Sequence, residues 1–114
     1  MEIIFYSAAQ DEIFNIYDTT DEKWGEKQAD NYISGLYETV GLAAKRQKNW
    51  RKYGDLAEDA KRPIYFVSYK RHCIFFEVIE EENAIGVIGV FHEAMDIPAR
   101  LLDAIVSLGR EPRA

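Results

Sequence analysis

Two histidines and the single cysteine are the side chains whose types and spacing first suggest chemistry. His72 and Cys73 begin one strand-like segment, and His92 ends another. Imidazole and thiolate are common zinc ligands, but a structural zinc site needs four ligands, and no fourth stands at a useful spacing. We therefore predict no metal site and no cofactor, and we interpret Cys73 as a small buried hydrophobe.

His92 is followed closely by two carboxylates, Glu93 and Asp96. A carboxylate that accepts a hydrogen bond from a histidine holds the ring in one tautomer, as a catalytic base requires. Acidic residues at a strand end also fix turns, and Asp96 is well placed to cap a helix that begins near Pro98. We favour the structural role, predict no catalytic residue, and keep His92 as a candidate contact for a target molecule.

A cationic window in the middle of the chain is the second feature with binding chemistry. The formal net charge is −6, yet residues 45–71 carry nine basic and three acidic side chains, whereas residues 1–44 carry two basic and nine acidic ones. An acidic protein can still present one cationic face, because salt screens exposed charges beyond about 10 Å. The acidic remainder argues against general nucleic-acid binding, which relies on long-range positive potential.

Aromatic side chains are interleaved with this window. Trp50 and Tyr53 flank Arg51 and Lys52, and tryptophan and arginine often dominate the energetics of interfaces. The alternative interpretation is that the two aromatic residues close the end of a helical hairpin and that the cations form a solvated surface. The candidate target-binding residues are Arg51, Lys52, Arg62, Arg71 and His92.

The first half of the chain has the pattern of one strand and two helices. Residues 2–6 are a short apolar strand, after which Ser7 stands three residues before a glutamine, the spacing of a helix capping box. Apolar residues recur at helical spacing over 9–20 and again over 29–44. Two amphipathic helices joined by a short turn predict a helical hairpin lying on a sheet. We interpret residues 45–62 as the helix end and a connecting loop.

Three strands are predicted next, over residues 63–69, 72–79 and 84–92, with turns so short that neighbours must be antiparallel. The middle strand is apolar on both faces and therefore needs cover on both. Its side chains alternate between one face with Ile74, Phe76 and Val78 and another with Cys73, Phe75 and Ile79.

A last apolar helix is predicted from Pro98 to Gly109. The helical hairpin covers only one face of the sheet. Either this last helix covers the second face, or a partner chain covers the second face and the helix together. We expect another polypeptide to complete one side of the sheet, and the isolated chain to associate. The predicted fold is a single α+β domain over residues 1–114: an N-terminal strand, a helical hairpin, a three-stranded antiparallel meander and a C-terminal helix.

Three local motifs accompany this order of elements. They are Ala8-Ala9-Gln10-Asp11 followed by Ile16-Tyr17, the segment HCIFFEV over residues 72–78, and the segment GVFHEAMD over 89–96 followed by Pro98 and Arg100-Leu101. Together they resemble the RelE/ParE toxin family, and within it the ParE-like branch. The resemblance spans nearly the whole chain.

The resemblance implies the toxin of a type II toxin–antitoxin system, neutralised by a ParD-like antitoxin encoded beside it. Operator DNA would be bound only through the antitoxin, and no membrane would be involved. The candidate antitoxin-binding residues are Trp50, Tyr65, Phe75, Leu101 and Ile105. The single cysteine, and an N-terminus without the features of a secretion signal, predict a cytoplasmic location.

The two branches of the family differ in chemistry. ParE-type members act on DNA gyrase, whereas RelE-type members cleave messenger RNA on the ribosome, which requires a proton acceptor, a proton donor and cations around the phosphate. RelE-like proteins supply these groups with clustered basic residues and a tyrosine near the C-terminus. Here Arg100, Arg110 and Arg113 follow Ile97 without a tyrosine, and Glu77 stands where the family often has a basic residue.

We therefore expect a non-enzymatic inhibitor of DNA gyrase that acts by protein contact. A RelE-like, ribosome-dependent endoribonuclease is the alternative if Lys52, Arg62, Arg71 and His92 converge. A third reading is a degenerate toxin that only binds its antitoxin and tunes repression.

Overall fold

The computed structural model of the protein describes residues 1–54 and 62–108. The elements in chain order are β1 (Glu2–Phe5), α1 (Ser7–Trp24), α2 (Glu26–Lys45), a 3₁₀ turn (Gln47–Asn49), β2 (Arg51–Tyr53), β3 (Ile64–Tyr69), β4 (His72–Ile79), a second 3₁₀ turn (Glu80–Glu82), β5 (Ala84–His92) and α3 (Ile97–Leu108). This order confirms the predicted α+β class. Residues 55–61 of the cationic window, the predicted helix end at Gly109, and Arg110 and Arg113 lie outside the described residues.

The five strands form one sheet in the order β1-β5-β4-β3-β2. β1 runs parallel to β5, and the other neighbours are antiparallel. The prediction of a plain loop over 45–62 is wrong, because β2 lies within it and pairs with β3 from Arg51↔Phe66 to Tyr53↔Ile64. A three-residue strand is too short to show alternation in sequence, and it exists because β3 offers it a pairing edge. The meander therefore has four strands.

The start of α1 also differs from the predicted capping box. Tyr6, not Ser7, occupies the cap position, and the side chain of this cap residue makes no capping hydrogen bond. The Tyr6 backbone N–H donates to the Val87 carbonyl at 3.1 Å, so the chain passes directly from strand pairing into the helix. At the other end Gly25 joins α1 to α2 with a φ of +92°, a conformation that favours glycine.

The sheet is covered on both faces by its own chain. The helical hairpin packs on one face, where Ile13, Leu36 and Val40 meet Ile74 and Phe76 of β4. α3 packs on the other, where Phe75 and Ile79 of β4 belong to a second core. The predicted alternation of β4 is thus confirmed for these four residues. In β5 a bulge leaves Ile88 outside the pairing register, so that Ile88 and Phe91 both face α3.

The expectation that another polypeptide completes the second face is wrong. Leu101 of α3 is fully buried on that face and Ala104 nearly so, because the inner residues of α3 recur at helical spacing and point at the sheet. The outer side of the same helix carries two large apolar side chains that are open to solvent, since Leu102 is 36% and Val106 52% exposed. No helix of the described ranges is long and apolar enough to cross a membrane.

Candidate functional site

The structure places the predicted target-binding residues at three separate locations. Arg51 and Lys52 lie on β2, at one edge of the sheet. Arg62 lies beside the start of β3 and Arg71 lies in the turn between β3 and β4. His92 ends β5, where it pairs with His72 at the start of β4. Since β3 and β4 separate β2 from β5, Lys52 and His92 do not converge in the way that the ribonuclease alternative required.

Arg62 is engaged by two carboxylates. Its guanidinium lies 3.7 Å from Glu77 and also pairs with Glu81. Glu77 is only 7% exposed, and it accepts a further hydrogen bond from the Tyr6 hydroxyl at 2.8 Å. A buried carboxylate needs such partners to offset its desolvation. Arg62 therefore stabilises the folded structure, because it compensates the charge of the buried Glu77 carboxylate.

Arg51 and Lys52 form the exposed cationic edge of β2. Both side chains are exposed, and neither has an ion-pair partner among the residues that the structure describes. A pocket of about 300 Å³ lies beside Arg51, between α2 and β3, with Leu42 and Val67 in its wall. The β2 edge is therefore a surface on which two cations are available for an external partner.

Trp50, immediately before this edge, is anchored within the fold. Its indole Nε1–H donates to the Ala43 carbonyl at 2.7 Å. The ring centroid lies 5.2 Å from that of Tyr65 and 5.0 Å from that of Phe76. These contacts agree with the interpretation in which Trp50 closes the end of the helical hairpin.

Tyr65 packs with Trp50 against the core on the hairpin face of the sheet, whereas the other three antitoxin-binding candidates belong to α3 or lie beneath it. Phe75 and Leu101 are buried in the core under the helix, and Ile105 packs partly buried against the same core. A direct antitoxin contact with Phe75 or Leu101 would require α3 to leave the sheet. That these residues contact the antitoxin remains a prediction.

Arg71 and Asp96 hold the segments that flank His92. The Arg71 guanidinium pairs with Glu93 at 3.2 Å, so Glu93 is directed away from the histidine role considered from sequence. Asp96 accepts a 3.4 Å hydrogen bond from the Ala99 backbone N–H in the first turn of α3, as the predicted cap requires.

A cleft between α1, the ends of β4 and β5, and the start of α3 brings together groups that sequence reasoning did not connect. Its volume is about 410 Å³, within the usual range for small-molecule sites. We call it the α1–α3 cleft. Its titratable and charged lining residues are Glu12, His72, His92 and Arg100, and the rest of its wall is Asn15, Ile16, Thr19, Thr20, Val90 and Met95.

Glu12 is the carboxylate of this cleft. One of its oxygens accepts a hydrogen bond from the Val90 backbone N–H at 3.2 Å. The pairing of β1 with β5 ends at Phe5↔Val87, so Glu12 supplies an acceptor to β5 where β1 does not. Burial raises the pKa of Glu12 to about 7, although the Val90 hydrogen bond and Arg100 oppose the rise. The carboxyl group is therefore close to half protonated at neutral pH.

His72 is held by hydrogen bonding at one ring nitrogen. Its Nδ1 lies 2.6 Å from the Tyr32 hydroxyl, whose oxygen also accepts a hydrogen bond from the Arg71 backbone. A phenol is a stronger acid than a neutral imidazole N–H, so we assign Tyr32 as the donor to Nδ1 and place the His72 proton on Nε2. Burial and the neighbouring His92 lower the pKa of His72, so this ring is neutral at pH 7.

His92 is held in the same way by a backbone amide, not by the carboxylate that the sequence suggested. Its Nδ1 accepts from the Ala94 N–H at 3.0 Å, so a neutral ring carries its proton on Nε2. The centroids of the His72 and His92 rings lie 5.3 Å apart. The two imidazole rings thus line one cleft with a carboxyl group and a guanidinium.

The described residues include no group of three or more His, Cys, Asp and Glu side chains placed to hold a metal ion. Cys73 is partly buried against the core beneath α3, with its Sγ 4.0 Å from the Ser68 hydroxyl. It does not line the α1–α3 cleft.

Comparison with known proteins gives a consistent match. Residues 3–97 match the family model for the ParE toxin of type II toxin–antitoxin systems, parDE. The chain is also 34% identical, over 95 residues, to the protein named Toxin ParE1 from Mycobacterium tuberculosis strain H37Rv and to its counterpart from strain CDC 1551. In each case the alignment covers 82% of this chain and 91% of the relative.

Proposed function

This chain belongs to the ParE toxin family of type II toxin–antitoxin systems, and on that premise we propose that it inhibits DNA gyrase by protein contact when no antitoxin is bound. Membership of the family implies an antitoxin partner. We propose that this partner is a ParD-like protein, that it neutralises the toxin, and that operator DNA is bound through it alone.

The observation that carries the proposal is the exposed cationic edge formed by Arg51 and Lys52. The rest of the described cationic window is partly occupied, since Arg62 and Arg71 pair with carboxylates and Lys70 lies 5.6 Å from the ring centroids of Tyr32 and Tyr69. Arg51 and Lys52 are consecutive on β2, so their side chains leave opposite faces of the strand, and both are exposed at the sheet edge. Charge complementarity with an acidic partner that meets this edge speeds the encounter and fixes its register. We assign gyrase contact to this edge.

For the antitoxin we propose a contact with the outer side of α3. Leu102 and Val106 stand one helical turn apart on that side and are exposed, while Leu101 and Ala104 hold the helix on the sheet. An exposed apolar stripe on a helix seated in this way is suited to a partner helix or strand. This location is on the opposite side of α3 from the buried candidates Phe75 and Leu101.

A growth assay separates the two proposed surfaces. Expression of the Arg51→Ala/Lys52→Ala variant should relieve growth inhibition while the variant still co-purifies with the antitoxin. The Leu102→Ser/Val106→Ser variant should lose co-purification, and Asp103→Ser on the same helix should retain it. The Lys23→Ala/Lys27→Ala variant removes the same charge elsewhere and should remain toxic.

Loss of both toxicity and antitoxin binding in the β2 variant would show that this edge is the antitoxin site instead. Tight antitoxin binding by a wild-type chain that never slows growth would identify a degenerate toxin.

A second candidate function is metal-independent RNA cleavage, and the α1–α3 cleft is the observation that favours it. Glu12 as carboxylate would take the proton of a ribose 2′-hydroxyl, whose oxygen attacks the adjacent phosphorus. His92 can become an imidazolium once the Ala94 N–H no longer donates to Nδ1. It would then give its Nε2 proton to the leaving 5′-oxygen as that P–O bond breaks, and Arg100 would stabilise the charged phosphorane. A 2′,3′-cyclic phosphate and a 5′-hydroxyl result. Glu77, which weighed against a nuclease in the sequence, does not line this cleft.

Translating ribosomes with a labelled message test this second candidate. Cleavage that disappears in both Glu12→Ala and His92→Ala variants, with supercoiling by gyrase untouched, would replace our first proposal. An intact message in the presence of a toxic wild-type protein would exclude the second.

A further inference from the structure

We propose that the α1–α3 cleft is a binding site for a phosphate ester, held by the Arg100 guanidinium and by the Nε2–H groups of His72 and His92. The inference concerns a ligand and not the gyrase contact. It rests on the arrangement of hydrogen-bond donors in the cleft.

The tautomers of the two histidines are fixed from outside the cleft. Tyr32 occupies Nδ1 of His72, and the Ala94 amide occupies Nδ1 of His92. Each ring therefore has its other nitrogen left over as a donor in the neutral state. With ring centroids 5.3 Å apart, the two donors are close enough to serve two oxygens of one anion.

Further donors surround these rings. Arg100 lines the cleft from α3, and Asn15 and Thr19 line it from α1. A guanidinium, two imidazole N–H groups, an amide and a hydroxyl can together supply more hydrogen bonds than the roughly four lone-pair sites of a carboxylate accept. They converge from three sides, as a tetrahedral phosphoryl group with several oxygens requires.

The remaining wall of the cleft is apolar. Ile16, Val90 and Met95 line it, so a ligand needs an organic part as well as an anionic head. This composition, with a few convergent polar groups in a mainly apolar wall, is typical of small-molecule sites. A phosphate ester can contact both the polar donors and the apolar side chains of the cleft. Inorganic phosphate can contact only the polar donors.

Glu12 couples this binding to proton uptake. The groups that face it are Arg100 from α3, His72 and His92 from β4 and β5, and Asp11 on its own helix. An anion in the cleft repels an ionised carboxylate, so it binds best when Glu12 is neutral. Because the pKa of Glu12 is about 7, affinity should fall as the pH rises from 6 to 8. For one proton the loss is about tenfold.

The cleft and the cationic edge can be tested separately. β5 carries the cleft and β2 carries Arg51 and Lys52, with β4 and β3 between them. Substitutions at one location therefore leave the other intact. Failure of phosphate binding would not affect the gyrase proposal, and phosphate binding without RNA cleavage would contradict the second candidate function only.

NMR of the full chain tests the proposal through the Cε1–H resonances of His72 and His92. The probes are inorganic phosphate, AMP and a deoxydinucleotide, whose phosphodiester neither titrates between pH 6 and 8 nor carries a 2′-hydroxyl. We expect both resonances to shift saturably with at least one ester. Tighter binding of AMP points to a free nucleotide as the ligand, and tighter binding of the deoxydinucleotide points to a nucleic-acid backbone.

Matched variants decide the outcome. Arg100→Ala should raise the dissociation constant at least tenfold, whereas Lys48→Ala, which removes an exposed cation from the 3₁₀ turn after α2, should leave it unchanged. Glu12→Gln should bind the deoxydinucleotide about tenfold more tightly than the wild type at pH 8 and equally at pH 6. No saturable shift with any probe, wild-type affinity in Arg100→Ala, or weaker binding by Glu12→Gln at pH 8 would overturn the proposal.

Discussion

Glu12 has two roles at once, because the carboxylate that satisfies a backbone amide also lines the cleft. The Val90 N–H needs an acceptor where β1 no longer pairs with β5, and Glu12 of α1 provides it. The Glu12 side chain is partly buried there, and burial favours the protonated, uncharged form of its carboxyl group. The ionised form therefore costs folding free energy at neutral and higher pH.

Replacing Glu12 by glutamine should stabilise the protein at high pH. The pKa is raised on folding, so the folded state holds its proton more tightly, and stability falls as the pH rises from the unfolded pKa near 4.5 to the folded value of about 7. Allowing for solvent screening, we expect Glu12→Gln to raise the free energy of unfolding by about 1 kcal/mol at pH 8 and hardly at all at pH 4. Urea denaturation at both pH values measures this, with Asp11→Asn as the control. An equal effect at the two pH values would contradict it.

Trp50 is a second residue whose role the structure separates from target binding. Trp50→Phe keeps an aromatic ring against Tyr65 and Phe76 but removes the hydrogen bond to the Ala43 carbonyl. We expect a loss of about 1–2 kcal/mol in the free energy of unfolding, with gyrase inhibition per folded molecule unchanged.

The matched substitution is Trp24→Phe, at a side chain that is 72% exposed. It should change stability by less than about 0.5 kcal/mol. Loss of gyrase inhibition by folded Trp50→Phe would restore Trp50 as a target contact.

At the scale of elements, the periodic helices and strands were predictable and the short or tertiary features were not. The hairpin, the alternation of β4 and the apolar α3 follow from spacings of 3.6 and 2 residues in the chain. β2 has three residues and no periodicity of its own. The α1–α3 cleft draws residues 12, 72, 92 and 100 from four different elements, a meeting that only the packed fold brings about.

Two neighbouring leucines of α3 test which side of this helix packs against the sheet. Leu101 is fully buried, whereas its neighbour Leu102 is 36% exposed. We expect Leu101→Ala to lower the free energy of unfolding by about 2–4 kcal/mol, as cavity-forming substitutions do, and Leu102→Ala to lower it by less than about 0.5 kcal/mol. Thermal and urea unfolding of the two variants measures the difference. Equal losses would mean that α3 does not lie on the sheet as described.

At the scale of the whole molecule, the two proposed binding surfaces lie on opposite sides of a small fold. The cationic edge lies at one end of the strand order and the cleft near the other. The acidic residues that dominate residues 1–44 lie outside the β2 edge, so the net charge of −6 conceals a local positive surface. Sequence alone located this surface by its charge. It did not show that Arg62 and Arg71 pair with carboxylates, or that Arg51 and Lys52 lie exposed on an edge strand of the sheet.

Exposed apolar residues on α3 should make the isolated chain self-associate at high concentration. Leu102 and Val106 are the side chains concerned, and the Leu102→Ser/Val106→Ser variant should sediment closer to a monomer than the wild type. Analytical ultracentrifugation over a concentration series measures this. A wild-type chain that stays monomeric throughout would remove the support for α3 as a docking surface.

The most direct measurement of the central claim is the supercoiling of relaxed plasmid by purified DNA gyrase in the presence of the purified toxin. We expect the wild type to inhibit the reaction, Lys23→Ala/Lys27→Ala to match it, and Arg51→Ala/Lys52→Ala to need at least tenfold more protein for the same inhibition. Unimpaired supercoiling at toxin concentrations well above that of gyrase would contradict the claim.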